Sequence, residues 1–414
     1  MYKAITKCRI CGNPELVPVV DLGVQMLTGV FPKRIDDAVT AGPLQLVKCH
    51  GADESACGLL QLRHSYDPGE MYGDNYGYRS GLNPSMVRHL EGRIARVLAL
   101  ASLVPGDLVV DIGSNDGTAL KAYPDRGYRL VGIDPTGDKF RQYYPSSITL
   151  LTDFFSASLL RARFPDARAK VVTSFSMLYD LETPLEFFRE VHSILDEEGV
   201  WAFEQSYMPA MLLTNSFDTI CHEHLEYYGL RQIKWMADRT GFKIIDVETN
   251  DVNGGSFAVT VAKSGSAHRP SPLVSEMLAA EHAAGLDGIA PYQAFADRTA
   301  DASAAFIAFI RTARAEGKTV GALGASTKGN VVLQYCGVTQ ADLPFIGEVN
   351  ADKFGSFTPG TFIPIISEAE MIGRRPDYLV VLPWHFREFF VNNPRFRGLK
   401  LVFPLPALDI VEIA

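Results

Sequence analysis

The chain has 414 residues, 47% hydrophobic and 21% charged, which is too long for one ordinary core and predicts two or three globular domains. A net charge of -9 argues against a general nucleic-acid or anionic-membrane partner, while leaving room for a local basic pocket around a phosphorylated small molecule. No apolar run approaches the roughly 20 residues that span a bilayer, and Met1–Lys7 lacks the apolar core of a signal peptide. The expectation is therefore a cytoplasmic protein, a monomer or small homo-oligomer, with no nucleic-acid and no membrane partner.

Four of the six cysteines lie in the first 57 residues. Cys8-Arg9-Ile10-Cys11-Gly12 is a C-x-x-C knuckle, and two thiolates on one tight turn make half of a structural zinc site. Cys49 and Cys57 supply the other half, although seven residues separate them, more than the usual two to four, which leaves His50 as an alternative ligand. Reduced cysteines without metal, or a redox C-x-x-C pair, are the competing readings; no thioredoxin-like pattern surrounds the pair. A closed four-thiolate site stabilises its domain and takes no part in chemistry.

The stretch Met71–Gly81 is too dense in tyrosine and glycine for a regular element. Tyr76 and Tyr78 either present hydroxyls to a ligand or pack in an aromatic linker between domains. Helical spacing then runs from Pro84 to Leu103.

Val109-Val110-Asp111-Ile112-Gly113-Ser114-Asn115-Asp116-Gly117-Thr118 is the stretch around which the chain is organised. An apolar run ends in an acid, two glycines bracket small polar residues, and a helix start follows. That reads as a buried parallel strand, a tight turn, and unpaired helix N–H donors. A second apolar strand ends at Asp134, 23 residues after Asp111, where a carboxylate accepts from a ribose diol. The alternation of strands and helices from 105 to about 263 predicts a doubly wound parallel sheet. Its third strand is Ile148–Phe155, ending in the polar Asp153 with aromatics beside it, its fourth is Val171–Ser176, and its fifth is Gly199–Gln205.

Phe217–Tyr228 holds Cys221, His222, Glu223 and His224. The spacing is not the H-E-x-x-H of a zinc enzyme. Histidine beside a carboxylate suits proton abstraction near neutral pH, and histidines merely paired with acids at a domain edge are the plainer reading. After a linker at 264–272 and an Ala-rich helical segment from about 273 to 315, an α/β pattern restarts. Gly324-Ala325-Ser326-Thr327-Lys328-Gly329-Asn330 is a candidate phosphate cradle, with a dinucleotide site as the alternative.

The glycine turn resembles the first motif of class I S-adenosylmethionine (SAM) methyltransferases. Taken with the N-terminal cysteines, the Tyr-rich stretch and the E-H-x-x-Y-Y element, the whole chain resembles the sugar C-methyltransferases that act on TDP-linked 4-keto deoxysugars at C3, the tetronitrose and kijanose type. The resemblance implies an α/β protein of three domains: residues 1–70 bind zinc, 71–265 form a class I methyltransferase, and 266–414 form a Rossmann-like nucleotide-sugar domain. It implies SAM contacts from Asp111, Gly113, Ser114, Asn115, Gly117, Asp134, Asp153, Phe154, Ser174 and Tyr78. His224 is the implied base, with Glu223, His222 and Tyr179 in the catalytic set. Tyr179 and Asp180 are the candidates for a place where relatives carry histidine, and Cys221 stands where they often carry an aromatic residue. Tyr76, Lys328, Asn330, Trp384 and His385 are the implied nucleotide-sugar contacts, although Trp384 also suits a core. An O- or N-methyltransferase and a non-catalytic nucleotide-sugar-binding protein are the rival readings.

Overall fold

Leu108–Ile112 is buried at every position, which is why it is apolar throughout except at Asp111: a strand covered by helices on both faces has no solvent side. A computed structural model describes residues 2–51, 55–71, 79–165 and 168–413, and places this strand at the centre of a seven-stranded sheet. Across that sheet run Phe242–Asn250, Ser256–Lys263, Leu195–Ser206, Ala169–Phe175, Leu108–Ile112, Arg129–Ile133 and Ile148–Leu151. Only Ser256–Lys263 runs antiparallel to its neighbours. Chain order reverses between Leu108–Ile112 and Ala169–Phe175, so the crevice beyond their carboxyl ends is where such a sheet takes a ligand.

Helix Pro84–Leu100 begins on proline, is capped by the Asn83 side chain, and buries Leu90, Ile94 and Val97. Helix Pro184–Ile194 buries Phe187, Phe188, Val191 and Ile194 on the other side. The helix after the glycine turn is short, Thr118–Lys121.

The N-terminal segment forms a four-stranded antiparallel sheet from Leu16–Met26, Ala41–Cys49 and Leu60–Leu62, and its fourth strand is Glu226–Tyr227, contributed by the segment that follows Leu195–Ser206 of the central sheet. Val20, Leu22, Leu44, Leu46, Leu60 and Leu62 share one core with helix Ala290–Ala315 and the C-terminal sheet. That sheet has the order Ile365–Ser367, Ile346–Glu348, Val320–Leu323, Tyr378–Val381, Lys400–Phe403 and Asp409–Glu412, parallel except at the last strand. It has its own reversal of chain order, between Val320–Leu323 and Tyr378–Val381. The Ala-rich segment is two helices, Pro272–Ala283 and Ala290–Ala315, interrupted at Gly285, whose φ of +72° suits glycine. Val274 in the first of them packs into the core of the central sheet. Among the described residues no helix is long and apolar enough to cross a membrane.

Candidate active site

The four N-terminal cysteines converge. Cys8 and Cys57 sulfurs lie 3.5 Å apart, as do those of Cys11 and Cys49, and all four lie within 4.8 Å of one another. Tetrahedral zinc at its usual 2.3 Å from sulfur sets sulfurs about 3.8 Å apart, so the set fits with little adjustment. His50 does not belong to it. The knuckle closes because Gly12, at φ +73°, turns its N–H back to the Cys8 carbonyl at 2.9 Å.

At the reversal point of the central sheet lies a cavity of about 540 Å³, lined by Asp111, Gly113, Ser114, Asn115, Asp134 and Phe154 among others. Gly113 and Gly117 have φ of +72° and +73°, and a Cβ on Gly113 would stand 3.2 Å from Met177. Asp134 carries the ligand-facing carboxylate. One oxygen accepts the Asn115 N–H at 2.7 Å, the other the Thr136 N–H and hydroxyl at 2.7 and 2.6 Å. A carboxylate offers about four acceptor sites, so capacity is left for a ribose diol. Asp111 accepts the Thr173 hydroxyl at 2.5 Å; burial pushes its carboxyl up to about 7, and Asp134 adds to this. Asn115 and Asp116 also accept the N–H groups of Ser80 and Gly81, which fastens the start of helix Pro84–Leu100 to the glycine turn. Met86 and Leu90 of that helix line the cavity, as do Glu186 and Glu190, which the sequence did not single out.

The catalytic candidates lie beside this cavity. Strand Ala169–Phe175 leads into Met177 and Asp180, both lining residues, and Tyr179 stands between them. The Tyr179 carbonyl accepts the Leu225 N–H at 2.8 Å, and its ring meets His224 edge-on at 4.5 Å. His224 Nδ1 lies 3.0 Å from the Thr219 carbonyl, and because a carbonyl only accepts, the proton sits on Nδ1 and the Nε2 lone pair is left to take another. Burial pushes His224 down to about 4, opposed by the Thr219 contact and helped by the charge of Lys328, so the ring is neutral at pH 7. Glu223 is raised by burial, against hydrogen bonds from its own backbone and from Cys221. Its Oε2 is buried without a hydrogen-bond partner, and its Oε1 lies 2.5 Å from where a Cβ on Gly29 would stand.

The third side of the site is the reversal point of the C-terminal sheet. Gly324, at φ +84°, turns the chain beneath Pro383, and the Ser326 side chain caps helix Thr327–Tyr335 by accepting the Gly329 N–H at 3.0 Å. Lys328 is in the first turn of that helix. Trp384 donates its indole N–H to Asp218 at 2.9 Å, while the other Asp218 oxygen is buried without a partner. His385 Nδ1 is likewise buried and unpartnered, and burial together with Lys328 pushes the ring down to about 3. Asp218, buried with one unpartnered oxygen, is a candidate that the sequence did not single out.

Several expected residues fall elsewhere. His222 does not join His224: its ring lies edge-on to Tyr66 at 4.6 Å and its Nε2 faces the Gly42 carbonyl of the N-terminal sheet, whereas His224 lies against Thr219 and Tyr179. Ser174 accepts the Trp201 indole N–H inside the core and does not line the cavity. Asp153 is exposed and caps the N–H of Phe154, leaving Phe154 and Phe155 as the lining there. Gly117 shapes the turn without lining the cavity. Asn330 is fully buried and donates to the Thr28 carbonyl at 2.7 Å, tying the helix to the N-terminal unit. Tyr76 and Tyr78 lie outside the described residues.

Comparison with known proteins follows the same partition. Residues 8–72 match a zinc binding domain model, 86–247 a methyltransferase domain model, and 251–406 the model of the C-methyltransferase C-terminal domain. The chain is 32% identical to the C-methyltransferase NovU of Streptomyces niveus over 421 aligned positions, covering 100% of this chain and 98% of that protein. Among solved structures, the cyclopropane synthase MmaA2 of Mycobacterium tuberculosis aligns at 12% identity over 48% of this chain and 91% of its own, with a TM-score of 0.35. The CcbJ methyltransferase of Streptomyces caelestis aligns at 14% identity over 42% and 90%, with a TM-score of 0.34. Nothing further rests on those two alignments.

Proposed function

The chain belongs to the SAM-dependent C-methyltransferase family, with SAM as cofactor and a structural zinc at its N-terminal end, and on that premise we propose that it methylates a nucleotide-linked 4-keto deoxysugar at the carbon next to the ketone, C3 in the sugar's numbering. One observation carries this reading: the His224 ring, its Nδ1 tied to Thr219, lies edge-on against Tyr179, whose neighbours Met177 and Asp180 line the cofactor cavity. A base placed there adjoins the methyl donor.

A C–H next to a ketone is acidic because its conjugate base is an enolate. His224 Nε2 takes that proton, the C–H electron pair moves into the enolate, and the proton later leaves to solvent. When bound, SAM supplies an electrophilic methyl to the enolate carbon, and the broken S–C electron pair stays on sulfur in S-adenosylhomocysteine. Asp134, Asn115 and the glycine turn hold the cofactor, Glu223 orients substrate hydroxyls beside the base, and the C-terminal reversal point takes the nucleotide-sugar. The work of the protein is positioning and proton transfer. The three-domain division at 1–70, 71–265 and 266–414 assigns zinc, cofactor and nucleotide-sugar to successive parts of the chain.

The test is incubation with a TDP-4-keto-deoxysugar and SAM carrying a ¹³C methyl. A new C–CH3 resonance coupled to the carbon flanking the ketone is expected, and long-range correlations distinguish C3 from C5, the other flanking carbon. A methyl found on oxygen or nitrogen would sink the reading.

A further inference from the structure

We propose that His89 and the buried carboxylate of Glu204 form a clamp that sets one wall of the cofactor cavity, which makes both of them positioning residues for SAM. The clamp concerns the cofactor alone, so it stands whichever atom of the substrate receives the methyl.

Glu204 lies near the carboxyl end of strand Leu195–Ser206 and is 4% exposed. A carboxylate taken out of water must be held by donors, and three side chains surround this one. Its Oε1 lies 2.5 Å from His89 Nε2, and its Oε2 accepts the Asn250 side-chain N–H at 3.0 Å. The Arg93 guanidinium stands 3.7 Å away. A carboxylate only accepts, so His89 donates from Nε2. His89 and Arg93 both belong to helix Pro84–Leu100, one turn apart on the same face.

That helix is a wall of the cavity. Met86 and Leu90, on either side of His89 in the chain, line it, as does Ser80 ahead of the helix. The segment before the helix is already fastened to the glycine turn, where Asn115 and Asp116 accept the Ser80 and Gly81 N–H groups at 2.9 and 3.1 Å. Further along the helix Arg96 pairs with Asp246 at 2.7 Å, but Arg96 is exposed and lies past the lining residues. The bond from His89 to Glu204 is the tie that adjoins Leu90, and both its partners are shielded from solvent.

The backbone of Glu204 reaches a second wall. Its carbonyl accepts the Ser176 N–H at 2.7 Å, and Ser176, a non-glycine residue at φ +56°, lines the cavity beside Met177. A left-handed serine persists only where its surroundings fix it. One residue thus holds both the helix that lines the cavity and the turn that leads on to Tyr179.

A ligand that needs a wall in one place binds more weakly by the fraction of time the wall is elsewhere. A charge-assisted hydrogen bond between shielded groups keeps the wall in place before the cofactor arrives. Neither His89 nor Glu204 lines the cavity, so the pair acts on SAM through Met86, Leu90 and Ser176.

The experiment titrates SAM calorimetrically into the full-length protein and into His89→Leu, His89→Gln, Glu204→Gln and the double variant His89→Leu/Glu204→Gln. Circular dichroism verifies that each is folded at the titration temperature, and thermal unfolding is recorded beside it. His89→Leu and Glu204→Gln are each expected to weaken SAM about tenfold, the equivalent of one charge-assisted hydrogen bond. The double variant should bind about as weakly as either single one, because the clamp is lost only once. His89→Gln keeps an N–H for the carboxylate and should recover most of the affinity. A lowered Tm with wild-type SAM affinity would overturn the proposal and leave the pair a structural one. Losses that add in the double variant would overturn it as well, since the two residues would then act separately. Should Glu204→Gln fail to fold, His89→Leu decides beside His89→Gln, because both leave Glu204 its Asn250 and Arg93 partners.

Discussion

The guanidinium of Arg9, the residue after the first zinc ligand, stands 3.8 Å from Glu182 on the wall of the cofactor cavity. The same nitrogen is 3.9 Å from Glu226, two residues after His224. The Glu182 side chain is 48% exposed, so that contact contributes little, whereas Glu226 is buried and Arg9 is the cation beside it. Arg9 also donates to the Leu62 carbonyl at 2.5 Å, on the strand that pairs with Glu226–Tyr227. Zinc knuckle, cavity wall and the segment that carries His224 and Glu226 therefore meet at one side chain.

Arg9→Met is expected to lower stability by about 3–5 kcal/mol, the usual result of leaving one member of a buried ion pair alone. Thermal unfolding reads it, and adding Glu226→Gln is expected to restore much of the loss. Stripping the zinc with a chelator acts in the same direction, because the strand partner of Glu226–Tyr227 hangs from the zinc-bound segment. An Arg9→Met protein as stable as wild type would make the pair energetically idle.

His224→Ala is expected to lower kcat by about 10²- to 10⁴-fold while the affinity for SAM stays near the wild-type value. The proposed base lies against Tyr179 and makes none of the hydrogen bonds that shape the glycine turn. Glu223→Gln is expected to follow in kcat, again with cofactor binding kept. Calorimetric titration of SAM beside steady-state rates separates the two effects, and full activity in the His224 variant would remove it as the base.

Legibility in the sequence tracked how local each feature is. The strand and turn at Val109–Thr118 carry their own signals, an apolar run with no solvent face and glycines at positive φ. The four cysteines were readable as a set despite the long Cys49–Cys57 gap, because a closed thiolate site needs only their convergence. The 221–225 loop has no period, so the separate surroundings of His222, against Tyr66 and Gly42, and His224, against Tyr179 and Thr219, were not readable. Ser174 looked like a strand-end residue, yet the Trp201 indole claims it from the next strand. Asp218 was invisible because its partner Trp384 lies 166 positions away.

Gly29 is a substitution point where cofactor and catalysis should come apart. It belongs to the N-terminal unit, and a Cβ there would stand 2.5 Å from Glu223 and 3.6 Å from the Thr327 hydroxyl. The carboxylate must move to admit even one methyl group. Gly29→Ala is expected to cost about 1–3 kcal/mol of stability as an overpacked site. Turnover should drop with it while SAM binds as before. Unchanged turnover would show that the position of Glu223 is not critical.

His222 predicts a specific acid sensitivity. It is fully buried, its ring is held edge-on by Tyr66, and burial pushes it down to about 4. In the unfolded chain the same ring titrates near 6.5. Between these values the unfolded state binds more protons, so the contribution of His222 is present above pH 6.5 and is lost as pH falls toward 4. The full loss is about 3 kcal/mol, of which about 2 kcal/mol falls between pH 7 and pH 5. His224 and His385 shift in the same direction, so wild-type stability alone does not isolate the term. The comparison with His222→Leu does: denaturant unfolding at pH 7 and pH 5 should show the variant losing about 2 kcal/mol less than wild type over that interval. Parallel losses in the two proteins would mean that His222 takes up its proton as readily in the folded state as in the unfolded chain, and that burial does not depress it.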